Sequence, residues 1–116
     1  TMENGASMIQ SLKAGKPIDV QEVETIADAL GGNIGLDNNW TFETVRDLVD
    51  DCVTVSDDQI KEAMRALFYS EGMMVEGAAA VGVAALMSGT VDCEGRAICL
   101  LSGRNIAAET FLDVIS

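Results

Sequence analysis

The run Gly77-Ala78-Ala79-Ala80-Val81-Gly82-Val83-Ala84-Ala85-Leu86-Met87 constrains this chain more than any other stretch. It carries no polar side chain and is dominated by alanine. Val75–Met87 is therefore expected to form a helix that is apolar on every face and so buried on every face. Gly77 and Gly82 leave room for another backbone to pack close. Glu76, at the entrance, is the odd residue out. Such a helix needs protein all round it, and the rest of the sequence offers little cover. Only Cys52–Val55 and Ala97–Leu101 are clear strands, and two short strands cannot wrap a helix. The chain is expected to fold against further protein.

At 116 residues the sequence is long enough for one small domain. It is 48% hydrophobic but only 4% aromatic, so the core must be built from Val, Ile, Leu, Ala and Met. A net charge of −12 argues against nucleic acid, which needs clustered Lys and Arg, and against anionic membrane surfaces. No apolar stretch is long enough to span a bilayer, and the first residues lack the basic and apolar regions of a secretory signal. There is no histidine, and the 3 cysteines, Cys52, Cys93 and Cys99, form no CxxC. A Cys/His zinc site, a Cys–His nucleophile pair and a histidine base are thus excluded from within these residues. Cys52 and Cys99 lie in apolar runs and are expected to be small buried hydrophobes. These features together suit an acidic protein of the reducing cytoplasm.

Along the chain, Ala6–Ala14 is expected to be a helix with Met8, Ile9 and Leu12 on one face, stopped by Gly15-Lys16-Pro17. Gly31-Gly32-Asn33-Ile34-Gly35 is a loop that needs positive φ or close backbone approach. Thr41 is a candidate cap for a helix that sets Phe42, Val45, Leu48 and Val49 on one face. Ser56 and Gln59 form a capping box. Asp57 and Asp58 suit the dipole of the helix that follows, whose stripe is Ile60, Ala63, Met64, Leu67 and Phe68. Finally, the apolar run Ala97–Leu101 ends abruptly in Ser102-Gly103-Arg104-Asn105, and an amphipathic segment, Ile106–Ile115, follows. A buried strand that stops in a small polar turn and re-enters as a helix is where α/β proteins place ligands. The architecture is α/β in character, helix-rich with few strands.

Taken in order, several segments resemble the serine/threonine dehydratase family of fold-type II pyridoxal-phosphate enzymes, which includes serine racemase. They are Gln10–Pro17, Thr25-Ile26-Ala27-Asp28, Ile34–Asn38, Val45–Asp51, Val53–Ser56, Val75-Glu76-Gly77-Ala78 and Ser102-Gly103-Arg104-Asn105. Within the family, the hydroxyectoine-utilisation dehydratases look nearest. The resemblance implies that residues 1–116 are one partial domain: the C-terminal third of a tryptophan synthase β-like large domain. It implies pyridoxal 5'-phosphate as cofactor and the loss of water and ammonia from a small β-hydroxy amino acid, giving a 2-oxo acid. Threonine, serine or a hydroxyectoine-derived amino acid would be the substrate. It also implies that the Schiff-base lysine, the substrate-carboxylate loop and the phosphate cup belong to a preceding part of the same enzyme. Lys13, Lys16 and Lys61 are not placed to form an imine, so the fragment would be inactive alone. Relatives are commonly dimers, so a homodimer is expected of the complete enzyme.

Carried over residue by residue, Ser102 would share a hydrogen bond with the pyridine nitrogen. A hydroxyl there, unlike a carboxylate, leaves the ring close to neutral, which suits expulsion of a β-hydroxyl. The competing reading is that Ser102 caps the last helix. Gly103 would let the backbone pass close to the ring. Arg104 replaces the family's usual second glycine and would be strained if that position needs positive φ. Glu76 matches a glutamate near the ring; otherwise it is an ordinary helix-entrance carboxylate. Ala29 and Leu30 correspond to backbone positions over one side of the ring. Some relatives hold a cation through oxygen ligands near the place of Glu3, but their second carboxylate has no match, and no metal is assigned. The remaining acids, Asp50, Asp51, Asp57 and Asp58 among them, are expected to be solvated surface. Two alternatives stand beside the enzyme: a non-catalytic ligand-binding or assembly module of the same ancestry, and an unrelated helical interaction domain.

Overall fold

The computed structural model describes residues 1–116. Its helices are α1 (Ser7–Ala14), α2 (Trp40–Leu48), α3 (Asp57–Glu71), α4 (Gly77–Met87) and α5 (Ala108–Ile115), with a single 3₁₀ turn at Asp28–Leu30.

The longest helix, α3, starts where the sequence says it should. Ser56 Oγ accepts from the Gln59 amide and the Gln59 side chain accepts from the Ser56 amide, so both bonds of the capping box are made. Gly72 ends α3 in the left-handed region at φ +66°, which spares it the Cβ penalty. Of the predicted stripe, Ile60, Ala63, Met64 and Leu67 are buried in the core and Phe68 is half-buried against it. That core is the seam where α4 and α5 pack on α3, with Phe111 and Val114 contributed by α5. Phe68 meets Phe111 edge to face, with ring centroids 5.3 Å apart.

On α4 the sequence expectation needs correction. Ala78, Ala79, Ala80, Ala84 and Ala85 are buried, but Gly82 and Met87 are exposed, and Val81 and Val83 are only half-buried. The helix is apolar all round and covered on one side. The physical reason is beside it. Ala97–Leu101, expected as a buried strand, is extended but pairs with nothing, and Ile98 and Leu100 are 92% and 84% exposed. Cys99 touches α4, its Sγ lying 3.7 Å from the Cβ that Gly82 lacks, and Leu101 packs against the core. The cysteines differ from expectation accordingly: Cys52 is exposed and Cys99 half-buried.

The second strand segment does pair, briefly. Val55 N–H donates to the Thr1 carbonyl and Glu3 N–H to the Val55 carbonyl, both at 2.9 Å, forming a parallel bridge between Met2 and Val55. Met2 and Val55 are both buried by it. The α1 helix inverts its expected polarity. Its fully covered residues are Ser7 and Ser11, whereas Met8, Ile9 and Leu12 are half-buried. The serines are tolerated inside because each is bonded: Ser7 Oγ donates to the Gly32 carbonyl at 2.8 Å, and Ser11 Oγ accepts from the Ile18 amide at 3.1 Å. For α2 the cap is Asn38, not Thr41; Asn38 Oδ1 accepts from the amides of Thr41 and Phe42 and from the Thr41 hydroxyl. Of its expected apolar face, Phe42 alone is buried.

Candidate functional site

Ser102 and Gly103 lie at the rim of a cavity of about 540 Å³ whose other walls are Gly72, Met73, Met74, Val75, Leu101 and Arg104. Ser102 is exposed. It does not cap the last helix, because α5 begins at Ala108 with Ala107 at the N-cap position. The hydroxyl is therefore not committed to that helix. Arg104 takes the second-glycine position without strain, since no residue other than glycine has positive φ. It is the charged residue on the cavity wall.

Glu76 is the N-cap residue of α4, yet its carboxylate makes no bond to the amides of its own helix. It lies over Gly103 instead: a Cβ added at Gly103 would overlap Glu76 Oε1. The Glu76 amide donates to the Gly103 carbonyl at 3.3 Å. The absent side chain leaves the carboxylate room to lie there, and the two candidate residues form one contact pair. Glu76 itself is not a wall of the Ser102 cavity; it lines a second recess of about 290 Å³ with Thr25, Ile26, Asp28, Asn105 and Thr110.

The N-terminus of α4 is reached by a third strand of chain. A Cβ on Gly77 would overlap the Ile26 carbonyl oxygen, so residues 26–27 run directly against the helix backbone there. The turn that follows holds Ala29 and Leu30, both exposed, and packs on α4. Leu30 lines a separate, largely apolar recess of about 510 Å³ between α1, α2 and residues 51–53. The structure therefore brings Glu76 onto Gly103, next in the chain to Ser102, and places the Ala29–Leu30 turn on α4, with Leu30 facing another opening. In the glycine loop, Gly32 and Gly35 have positive φ, +88° and +87°, while Gly31 is extended. Glu3 is exposed, and no three Asp, Glu or Cys side chains converge on a point that could hold a metal ion.

One contribution escaped the sequence reading. Asp57, expected on the solvated surface, accepts hydrogen bonds from residues 25 and 26. A polar pair 32 positions apart leaves no periodic signal in a sequence. The only hint was Thr25 itself, a hydroxyl at the start of the Thr-Ile-Ala-Asp segment.

Residues 1–103 match the family model described as pyridoxal-phosphate dependent enzyme. The chain belongs to that family. It is 44% identical to a putative threonine dehydratase of Sinorhizobium fredii over 117 aligned residues, covering 100% of this chain and 35% of the relative. It is 40% identical to an L-threonine ammonia-lyase of Geobacter sulfurreducens, covering 90% of this chain and 26% of that one. Among solved structures, maize serine racemase superposes with a TM-score of 0.78 at 34% identity, over 95% of this chain and 36% of that protein. The fold is accordingly part of the fold-type II pyridoxal-phosphate architecture, and the helix-rich character expected of that part is what the structure has. The chain spans about a third of the length of the curated relative from Sinorhizobium. No helix is long and apolar enough to cross a membrane.

The residues present fit a planar aromatic cofactor. Ser102 offers an uncommitted hydroxyl at a cavity rim, and Gly103 carries no side chain that would cover it. The apolar wall of Met73, Met74 and Val75 can accept the face of a ring.

Proposed function

We propose that these residues are the C-terminal third of a dehydratase that removes water and ammonia from a small β-hydroxy amino acid, with threonine or serine the first candidates. The observation that carries this reading is the exposed Ser102 hydroxyl beside the Glu76–Gly103 contact. The names of the relatives, threonine dehydratase and L-threonine ammonia-lyase, support the substrate class. A hydroxyectoine-derived amino acid belongs to the same chemical class. The rest of the enzyme would supply the imine-forming lysine, the phosphate cup and the substrate-carboxylate loop, and a cytoplasmic homodimer is the proposed complete form.

When bound, the cofactor supplies an electron sink that makes the substrate's α-proton acidic. The role of this chain is to set that sink's strength. Ser102 Oγ would share a hydrogen bond with the ring nitrogen without placing a negative charge there. Gly103 keeps the approach open. Glu76 would stay held over Gly103, leaving Ser102 to meet the ring nitrogen. Met73, Met74 and Val75 exclude water from one side of the pocket.

The test is turnover by the complete protein. L-threonine and L-serine should give 2-oxo acid and ammonia in equal amounts. Binding of pyridoxal phosphate without turnover of any β-hydroxy amino acid would favour the ligand-binding module instead. Interconversion of serine enantiomers without 2-oxo acid would make the protein a racemase.

A further inference from the structure

Asp57 has a role that the dipole of α3 does not explain. Thr25 Oγ1 donates to Asp57 Oδ1 at 2.6 Å, and the Ile26 amide donates to Asp57 Oδ2 at 2.9 Å. Thr25 Oγ1 also accepts from the Ala27 amide at 3.1 Å. Both carboxylate oxygens and one hydroxyl are thereby spent on holding three consecutive residues. Helix-dipole stabilisation alone would need neither Thr25 nor this geometry, and Asp58, exposed one residue further on, meets that need without such partners.

The segment so held touches the candidate site. The Ile26 carbonyl lies against Gly77, where no Cβ fits. Gly77 follows Glu76, whose carboxylate lies over Gly103. In the other direction the held segment runs straight into the turn carrying Ala29 and Leu30. A shift of residues 25–27 would move the start of α4, and with it Glu76, and would also move the turn.

We infer that Asp57, acting through Thr25 and the Ile26 amide, is a positioning residue of the cofactor site. It fixes how closely residues 25–27 seat on the N-terminus of α4, and so places Glu76 and the Ala29–Leu30 turn relative to Ser102. The inference rests on the proposed function, since it takes Glu76 and Ser102 to face pyridoxal phosphate.

The experiment uses the complete enzyme with pyridoxal 5'-phosphate as the probe. Thr25→Val removes the hydroxyl at nearly constant shape, Thr25→Ser keeps it, and Asp57→Asn keeps one acceptor oxygen. Ala63→Gly, in the middle of α3, lowers stability without removing any bond of the clamp. The readouts are the cofactor dissociation constant, the position of its visible band, the thermal midpoint, and amide exchange at Ile26 and Ala27 without cofactor. Thr25→Val and Asp57→Asn should each weaken cofactor binding about tenfold and shift the band. The double variant should be no worse than the weaker single one, because the two share one interaction. Thr25→Ser should stay within about twofold of the parent, and exchange at Ile26 and Ala27 should rise in Thr25→Val and Asp57→Asn but not in Ala63→Gly. The inference is overturned if both clamp variants lower the midpoint as Ala63→Gly does while binding cofactor like the parent. Should the parent itself bind no cofactor, the proposed function fails and takes this inference with it.

Discussion

Gly103 and Gly77 are both glycines that another group has claimed, and the difference between the claimants predicts different outcomes. At Gly103 the intruder is the far end of a glutamate side chain, which can rotate away. At Gly77 it is the Ile26 backbone carbonyl, which cannot move without its hydrogen-bonded segment. Gly77→Ala is expected to cost about 1–3 kcal/mol in urea denaturation, in the range of overpacked cores, and Gly103→Ala clearly less. Gly103→Ala should instead weaken cofactor binding, because it displaces Glu76. Ser102→Ala changes an exposed side chain and should alter stability by no more than about 0.5 kcal/mol. Turnover should fall by about tenfold, the worth of one lost hydrogen bond of roughly 1.4 kcal/mol. Equal loss of stability and turnover would make Ser102 structural. Ser102 and Glu76 stood out in the sequence through the family resemblance of their motifs, and their roles at the cofactor are proposals. The contact of Glu76 with Gly103 was not legible, because it joins residues 27 positions apart through a glycine with no side chain to announce it.

Among the elements, α3 was the most legible, since its start and buried stripe are local signals: Ser56 and Gln59, and Ile60 to Leu67 at helical spacing. Ser56→Ala should destabilise the protein by about 1 kcal/mol and lower the thermal midpoint accordingly. On α2 the structure moves the cap to Asn38, so Asn38→Ala should cost a similar amount while Thr41→Ala costs only a few tenths. A thermal melt of the two variants separates these readings. Local sequence could not choose between Asn38 and Thr41, because both are good caps and the start of the helix differs by about a turn's worth of ambiguity. The α1 helix shows the opposite failure. Its apolar residues point at a recess and its serines point inward, because what decides burial is what lies opposite, here the Gly32 carbonyl and the Ile18 amide. The same holds for Ala97–Leu101. Its composition is that of a buried strand, yet neither neighbours in a sheet nor a cover for Ile98 and Leu100 lie within residues 1–116.

At the scale of the molecule, these unpaired faces add up. The extents are 41 × 35 × 19 Å, a flat slab, and the radius of gyration is 14.6 Å where a compact chain of this length has about 13 Å. Backbone–backbone hydrogen bonds number 51, against roughly 80 for a closed domain, taking two-thirds of about one bond per residue. In residues 1–116 alone, the amides of 97–101 should exchange with solvent unprotected, and in the complete enzyme they should be protected as a central strand. Whether these residues present a hydroxyl to pyridoxal phosphate while the rest of the enzyme supplies the amine is decided by visible absorbance before and after borohydride. The complete protein should show a cofactor band that reduction eliminates and fixes to the chain as added mass, and residues 1–116 alone should show none. A reducible band on residues 1–116 by themselves would put the imine-forming amine within these residues and overturn that division of labour.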